Sequence, residues 1–284
     1  MDKDITVRFY ELRWPEDGPA GVADAFRDLA ALPRRDRERA VNDEIVLRLD
    51  DFDEGDGLIW GDIVRVQSDN LPSHVQDDSS DPLPVDRIGH HAAFVFEPET
   101  RFLALQFDIK IAVNRFCTYA SEFCGTGIGH MPVFRPNTLE RFEAETPTSF
   151  TVGVSGVRNF AGIGADKTDL EDQLEEWANF FGGMNIEIKV STRSDQGGLD
   201  KETVLRKLHR FLVLRERIEG VRKIKANTIE SDKAFNFVND LLVEYDTLAL
   251  LPNDPEYNRQ RRLDFVRECY DEHRPYLRRI AGVA

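Results

Sequence analysis

The chain has 284 residues, 41% of them hydrophobic and 31% charged, with a formal net charge of -15. Length and composition are those of a globular protein of one large or two ordinary domains. No apolar run approaches the roughly 20 residues of a membrane helix. The opening MDKDITVRFYEL has no basic-then-apolar leader pattern, and three cysteines without CxxC spacing make neither a disulfide framework nor a zinc ribbon. The expectation is a cytoplasmic protein of the host cell that does not itself span a membrane.

Ile5, Val7, Phe9 and Leu12 predict an opening strand, and Val22 to Leu32 a helix stopped by Pro33, with Arg34 and Arg35 just beyond. Glu44 to Asp50 and Leu58 to Gln67 predict a hairpin around the acidic turn DDFDEGDG. Asp50, Asp51, Asp53 and Asp56 invite a calcium-loop reading, but the closing Glu and the flanking helices of that motif are missing. Leu71 to Arg87 is polar, contains prolines and has no periodicity, which predicts an exposed loop. Ala92 to Phe96 and Arg101 to Phe107 flank the turn EPET as a second hairpin. Ile109 to Phe123 then forms a helix closed by Gly125, with Ile109, Val113, Phe116 and Ala120 buried. The glycines of GTGIGH match no nucleotide loop, and His90, His91, Cys124 and His130 lack metal-ligand spacing and read as structural.

A change of composition places a boundary near residue 145, between an acidic N-terminal lobe over 1–145 and a C-terminal α/β lobe over 146–284. Pro136 to Phe142 predicts a short helix and Ser149 to Val157 a strand. Leu170, Leu174, Trp177 and Phe181 mark an amphipathic helix ended by Gly182-Gly183, and Met184 to Val190 a further strand.

From Lys201 to Lys225, nine Lys/Arg stand against three Glu. Asp200 is positioned as an N-cap, Val204, Leu205, Leu208, Phe211 and Leu212 repeat at helical spacing, and Lys201, Arg206, Lys207 and Arg210 fall on or beside the polar face. Gly220 ends that helix. In the strand VRKIKANTI, Val221, Lys223 and Lys225 alternate with Arg222 and Ile224, so Lys223 and Lys225 share a face about 7 Å apart. That separation suits the phosphates of a nucleic acid backbone. Ala234 to Tyr245 reads as a helix, Pro252 to Pro255 as a turn, and Asn258 to Ile280 as a final helix striped by Leu263, Val266, Tyr270 and Leu277. Residues 200–284 carry 17 Lys/Arg against 15 Asp/Glu, leaving -17 on the first 199 residues, so an anionic partner is tolerated in the last third. Arg259, Arg261, Arg262, Arg278 and Arg279 are second-rank contacts, with ion pairs to the acidic lobe as the competing use.

Glu187 and Lys189, with Asp166, Asp169 and Asp172 upstream, have the acid-x-Lys grammar of a metal-dependent nuclease. The same alternation is that of any half-buried strand, and Asp169 and Asp172 fall on a helix. A nucleophile elbow, an HExxH helix and a P-loop are all missing from the sequence. The expectation is a non-enzymatic protein with no catalytic residue, metal or cofactor.

From Ala92 onward, FVFEPETRFLALQF, GHMPVFRPNTLERF, FFGGMNIEIKV, DKETVLRKLHRFL and VRKIKANTIESDKAFNFVNDLL follow in order over about two thirds of the chain. The series resembles the RexA-type exclusion proteins of temperate phages. The resemblance implies a two-lobed α+β architecture of mixed or antiparallel sheets with packed helices, akin to the recombination-associated protein RdgC. It also implies a homodimer that binds double-stranded DNA without sequence preference, acts in prophage exclusion, superinfection immunity and lysis-lysogeny control, and works with a RexB-like membrane partner. Carried over, the basic pair is Lys223 and Lys225 with Arg222 beside them, to which the charge pattern adds Arg206, Lys207 and Arg210. The chain departs from the family in its acidic first two thirds. Two alternatives stand beside this reading: a nuclease centred on Glu187 and Lys189, and a protein-interaction module of a phage-defence system.

Overall fold

A computed structural model describes residues 2–15, 21–42, 45–76, 79–82, 84–108, 110–154, 176, 180, 185–192, 197–217 and 221–283. In chain order the strands are β1 (Asp2–Arg13), β2 (Arg39–Asn42), β3 (Ile45–Gly55), β4 (Leu58–Gln67), β5 (Ser73–Gln76), β6 (Ser79–Pro82), β7 (Ile88–Glu97), β8 (Phe102–Gln106), β9 (Gly129–Pro132), β10 (Pro147–Val154), β11 (Ile186–Ser191), β12 (Val221–Thr228), β13 (Phe235–Asn236) and β14 (Val243–Ala249). The helices are α1 (Val22–Ala30), α2 (Val113–Cys124), α3 (Thr138–Ala144), α4 (Lys201–Arg217) and α5 (Pro255–Ile280). The protein is α+β, and its strand pairings are antiparallel. Among the described residues no helix is long and apolar enough to cross a membrane.

The chain forms two units, residues 1–130 with 243–284, and residues 131–242. This differs from the boundary expected near residue 145, because the last strand and the long terminal helix belong to the first unit's sheet. Antiparallel pairing lets a late strand join the first one directly: β14 runs along β1 from Asp2 opposite Ala249 to Arg8 opposite Val243.

In the first unit the sheet order is β14-β1-β8-β7-β4-β3-β2. Alternation sends Tyr10, Ile59, Ile63, Phe94, Phe96, Leu103 and Leu105 to one face, where they pack with α1 and α2 in one buried cluster. Phe26, Phe94 and Phe116 meet there edge to face at 5.4–5.7 Å. Phe9, Trp60 and Glu97 face the other way, toward α5: Phe9 stacks on Tyr270 and Arg267 lies 3.9 Å over the Trp60 ring. Glu97, 1% exposed, accepts hydrogen bonds from Arg274, Arg278, Tyr270 and Thr100. Burial would push its carboxyl up, but these donors outweigh burial and hold it below the ordinary carboxylate range.

The acidic turn is shorter than expected. β3 runs on to Gly55, and only Asp56 and Gly57, at φ 52° and 77°, make the turn, the Asp-Gly signature of a two-residue hairpin. The acids before it are engaged by arginines, Glu54 by Arg27 at 2.8 Å and Asp51 by both Arg34 and Arg259. The segment expected as a plain loop, Leu71 to Arg87, carries the β5–β6 hairpin.

In the second unit the sheet order is β11-β10-β12-β13. The helix expected over Ala234 to Tyr245 is not formed. Phe235 and Phe237 alternate about Asn236, as in a strand, and join Phe134 and Phe142 in an edge-to-face cluster at 5.0–5.9 Å. Asn239 and Asp240 then turn the chain, each donating its N–H to the Asn236 carbonyl. The helix expected over Leu170 to Phe181 lies largely outside the described residues.

Candidate nucleic-acid interface

β10 is the inner strand between β11 and β12, and its sequence PTSFTVGV alternates apolar with small or polar residues. Phe150, Val152 and Val154 stand in register with Val190, Ile188 and Ile186 on one side, and with Ala226, Ile224 and Val221 on the other. These nine make one apolar face. α4 covers its β10 and β12 part with the buried side chains of Val204, Leu208, Phe211 and Leu212, the Phe211 ring lying 6.3 Å from that of Phe150, while Val190 on β11 stays half exposed. Asp200 caps the helix as expected, accepting the Thr203 N–H at 2.8 Å, and the Thr203 hydroxyl and N–H together hold its carboxyl below the ordinary range.

The opposite face has a different chemistry. Thr151 stands between Lys189 and Lys225, and Gly153 between Glu187 and Lys223. Lys223 and Lys225 therefore share a face, as expected, and Lys189 joins them from the neighbouring strand. Gly153 has no side chain to separate its neighbours, so Lys223 reaches across it and its Nζ meets Glu187 Oε2 at 2.7 Å. A Cβ on Gly153 would lie 3.0 Å from the Lys223 Cβ. Among the described residues, Lys189 and Lys225 have no ion-pair partner.

Two parts of the expected site are placed elsewhere. A bulge between Gly153 and Val154 makes Arg222 the extra residue, exposed, and turns Val221 to the apolar face, 2% exposed, instead of the face of Lys223 and Lys225. Arg206, Lys207 and Arg210 lie on α4, on the far side of the sheet from the lysines. One surface cannot contain both sets. Two of the five terminal arginines serve the competing use foreseen for them: Arg259 pairs with Asp51 and Glu256, and Arg278 with Glu97 and Glu99.

Lys189 was legible only as half of an acid-x-Lys pair. The signal that joins it to Lys225 is the Ser149, Thr151, Gly153 alternation, which marks β10 as a strand with one polar face. For the nuclease reading, Glu187 is committed to Lys223, and Asp166, Asp169 and Asp172 lie outside the described residues. Among the described residues no group of three or more His, Cys, Asp and Glu could hold a metal ion. His90 meets Gln67, His91 meets Asp62, and His130 lies 3.9 Å from the Cys117 sulfur. Comparison with protein-family models and with curated proteins gives no match.

Proposed function

We propose that the second unit binds the phosphate backbone of double-stranded DNA, without regard to sequence, through the sheet face that carries Lys189, Lys223 and Lys225. The observation behind this reading is the register that gathers three ammonium groups on one face of a chain with net charge -15. Lys189 and Lys225 are two strand spacings apart, about 9–10 Å, and Lys223 and Lys225 about 7 Å. Ammonium groups on flexible stems act as point charges for phosphates and carry no base-reading geometry. A prophage-exclusion role, a homodimer and a RexB-like partner rest on the RexA-type resemblance.

Fluorescence anisotropy with a random-sequence duplex tests the site. Lys189→Ala/Lys225→Ala should weaken binding, and Arg206→Ala/Lys207→Ala/Arg210→Ala should leave it nearly unchanged. The reverse pattern would move the contact to α4, and failure of the wild type to bind at low salt would end the DNA reading.

A further inference from the structure

The first unit contains a second polar site, unrelated to the lysine face. A cavity of about 320 Å³ opens where the N-terminal half of α5 crosses the sheet, and Arg34, Asp50, His91, Glu256, Arg259 and Arg262 contribute to its walls. The acids there are engaged: Asp50 by Arg48, and Glu256 by Arg259, which also holds Asp51.

Three groups around the cavity are left over. The Arg262 Nε is buried without a hydrogen-bond partner, and among the described residues the guanidinium has no ion pair. Asp62, 2% exposed on β4, accepts from His91 Nδ1 through one carboxylate oxygen and leaves the other unpaired. The other ring nitrogen of His91, Nε2, has no partner among the described residues. Gly89, two residues away on the same strand and face, keeps that nitrogen open, because a Cβ there would lie 3.3 Å from it. Burial lowers the Arg262 guanidinium below its ordinary value; the nearby Asp62 carboxylate opposes the shift and Arg259 adds to it. A desolvated guanidinium that makes no ion pair with the nearby Asp62 carboxylate gains when an anion completes its hydrogen bonds.

We propose that this cavity binds the phosphate group of a small phosphate-bearing molecule, with Arg262 and Arg34 as its cationic clamps and His91, whose Nδ1–H is given to Asp62, offering Nε2 as the acceptor for a protonated phosphate oxygen. The planar guanidinium fork matches two phosphate oxygens at once. An imidazole whose Nδ1 is held by a buried carboxylate presents Nε2 in a fixed direction. A cavity of this size is at the small end of ligand pockets, leaving room for a compact organic group beyond the phosphate.

Isothermal titration calorimetry of the full chain with inorganic phosphate tests the site. Saturable binding is expected in the wild type, weakened about 10- to 100-fold in Arg262→Gln, the factor lost with one charge-assisted hydrogen-bond pair. Should circular dichroism show that Arg262→Gln does not fold, Arg34→Gln, with its side chain 58% exposed, carries the test and should weaken binding about 2- to 5-fold. Lys189→Ala/Lys225→Ala should bind phosphate as the wild type does, which separates this site from the DNA face. No saturable binding up to about 10 mM phosphate, or equal binding in wild type and folded arginine variants, overturns the proposal.

Discussion

Among the described residues, Glu187 is the carboxylate placed among the lysines of the second unit's sheet, and Glu187→Gln should strengthen DNA binding. Two effects add. Lys223 must leave its 2.7 Å contact with Glu187 to meet a phosphate; the two side chains are 36% and 53% exposed, and such exposed pairs are worth about 0.2–1 kcal/mol. A phosphate held on Lys223 or Lys225 would also feel the carboxylate at roughly 8 Å, about 0.5 kcal/mol of repulsion in a water-like medium. Together the variant gains about 1 kcal/mol, near a fivefold tighter Kd.

The salt dependence is the sharper measure, because it counts phosphates neutralised. With Lys223 held by Glu187, the wild type presents about two free charges and a slope of log K against log salt near -1.8; the variant presents about three and a slope near -2.7. Anisotropy titrations between about 50 and 200 mM salt resolve that change. If all six residues first expected at the site made contacts, the wild-type slope would lie near -5.4. A slope of that size, or an unchanged slope and affinity in Glu187→Gln, would refute the assignment of the contact to this face.

In the first unit, Glu97→Ala should leave Arg274 without its carboxylate and Arg278 with Glu99 alone, and cost about 1.5–3 kcal/mol, read as a lower urea midpoint at pH 7. Since the folded-state value of Glu97 is depressed, its stabilisation is present above the unfolded value near pH 4.3 and is lost as pH falls through the folded value. Glu97→Gln should therefore flatten the fall in stability between about pH 5 and 3, and an unchanged acid profile would count against the clasp. The three thiols should be silent to an aromatic disulfide reagent at pH 8 until the protein is denatured. Burial pushes Cys124 up to about 11, Cys269 up to about 12 and Cys117 higher still. Rapid labelling of any one in the folded protein would contradict that burial.

The strands were legible where one face is apolar and the other is not. β1 could be placed from alternation, the β7–β8 hairpin from the turn EPET between two apolar runs, and α4 from its stripe and its Asp200 cap. Three features needed the third dimension. The 234–245 segment has apolar residues dense enough to mimic a helix, and only the pairing of Phe235 beside Ala226 and of Val243 beside Arg8 puts its two ends in strands. The bulge at Arg222 inverts Val221 against the simple alternation of the strand. The basic helix and basic strand are neighbours in sequence, yet the apolar face of the sheet, which α4 must cover, sends their charges in opposite directions. The lysine face was therefore half legible: two members from one strand, while the third depended on strand order, which periodicity does not encode.

The second unit is closed at its base. Leu242 donates to the Val133 carbonyl and Arg135 to that of Asp240, both at 2.8 Å, with Phe134 bridged to Leu241. The insertion leaves and returns through one antiparallel clasp. During synthesis this sets an order of events. The sheet of the first unit must wait, with Phe9, Ala93 and Val95 uncovered, while all of residues 131–242 are made, because β14 and α5 come only afterwards. The described strands of the inserted unit are all made before the older part of the chain has its own, and a released chain ending near residue 245 would carry those strands together with an apolar, half-covered sheet, the kind of surface to which chaperones bind.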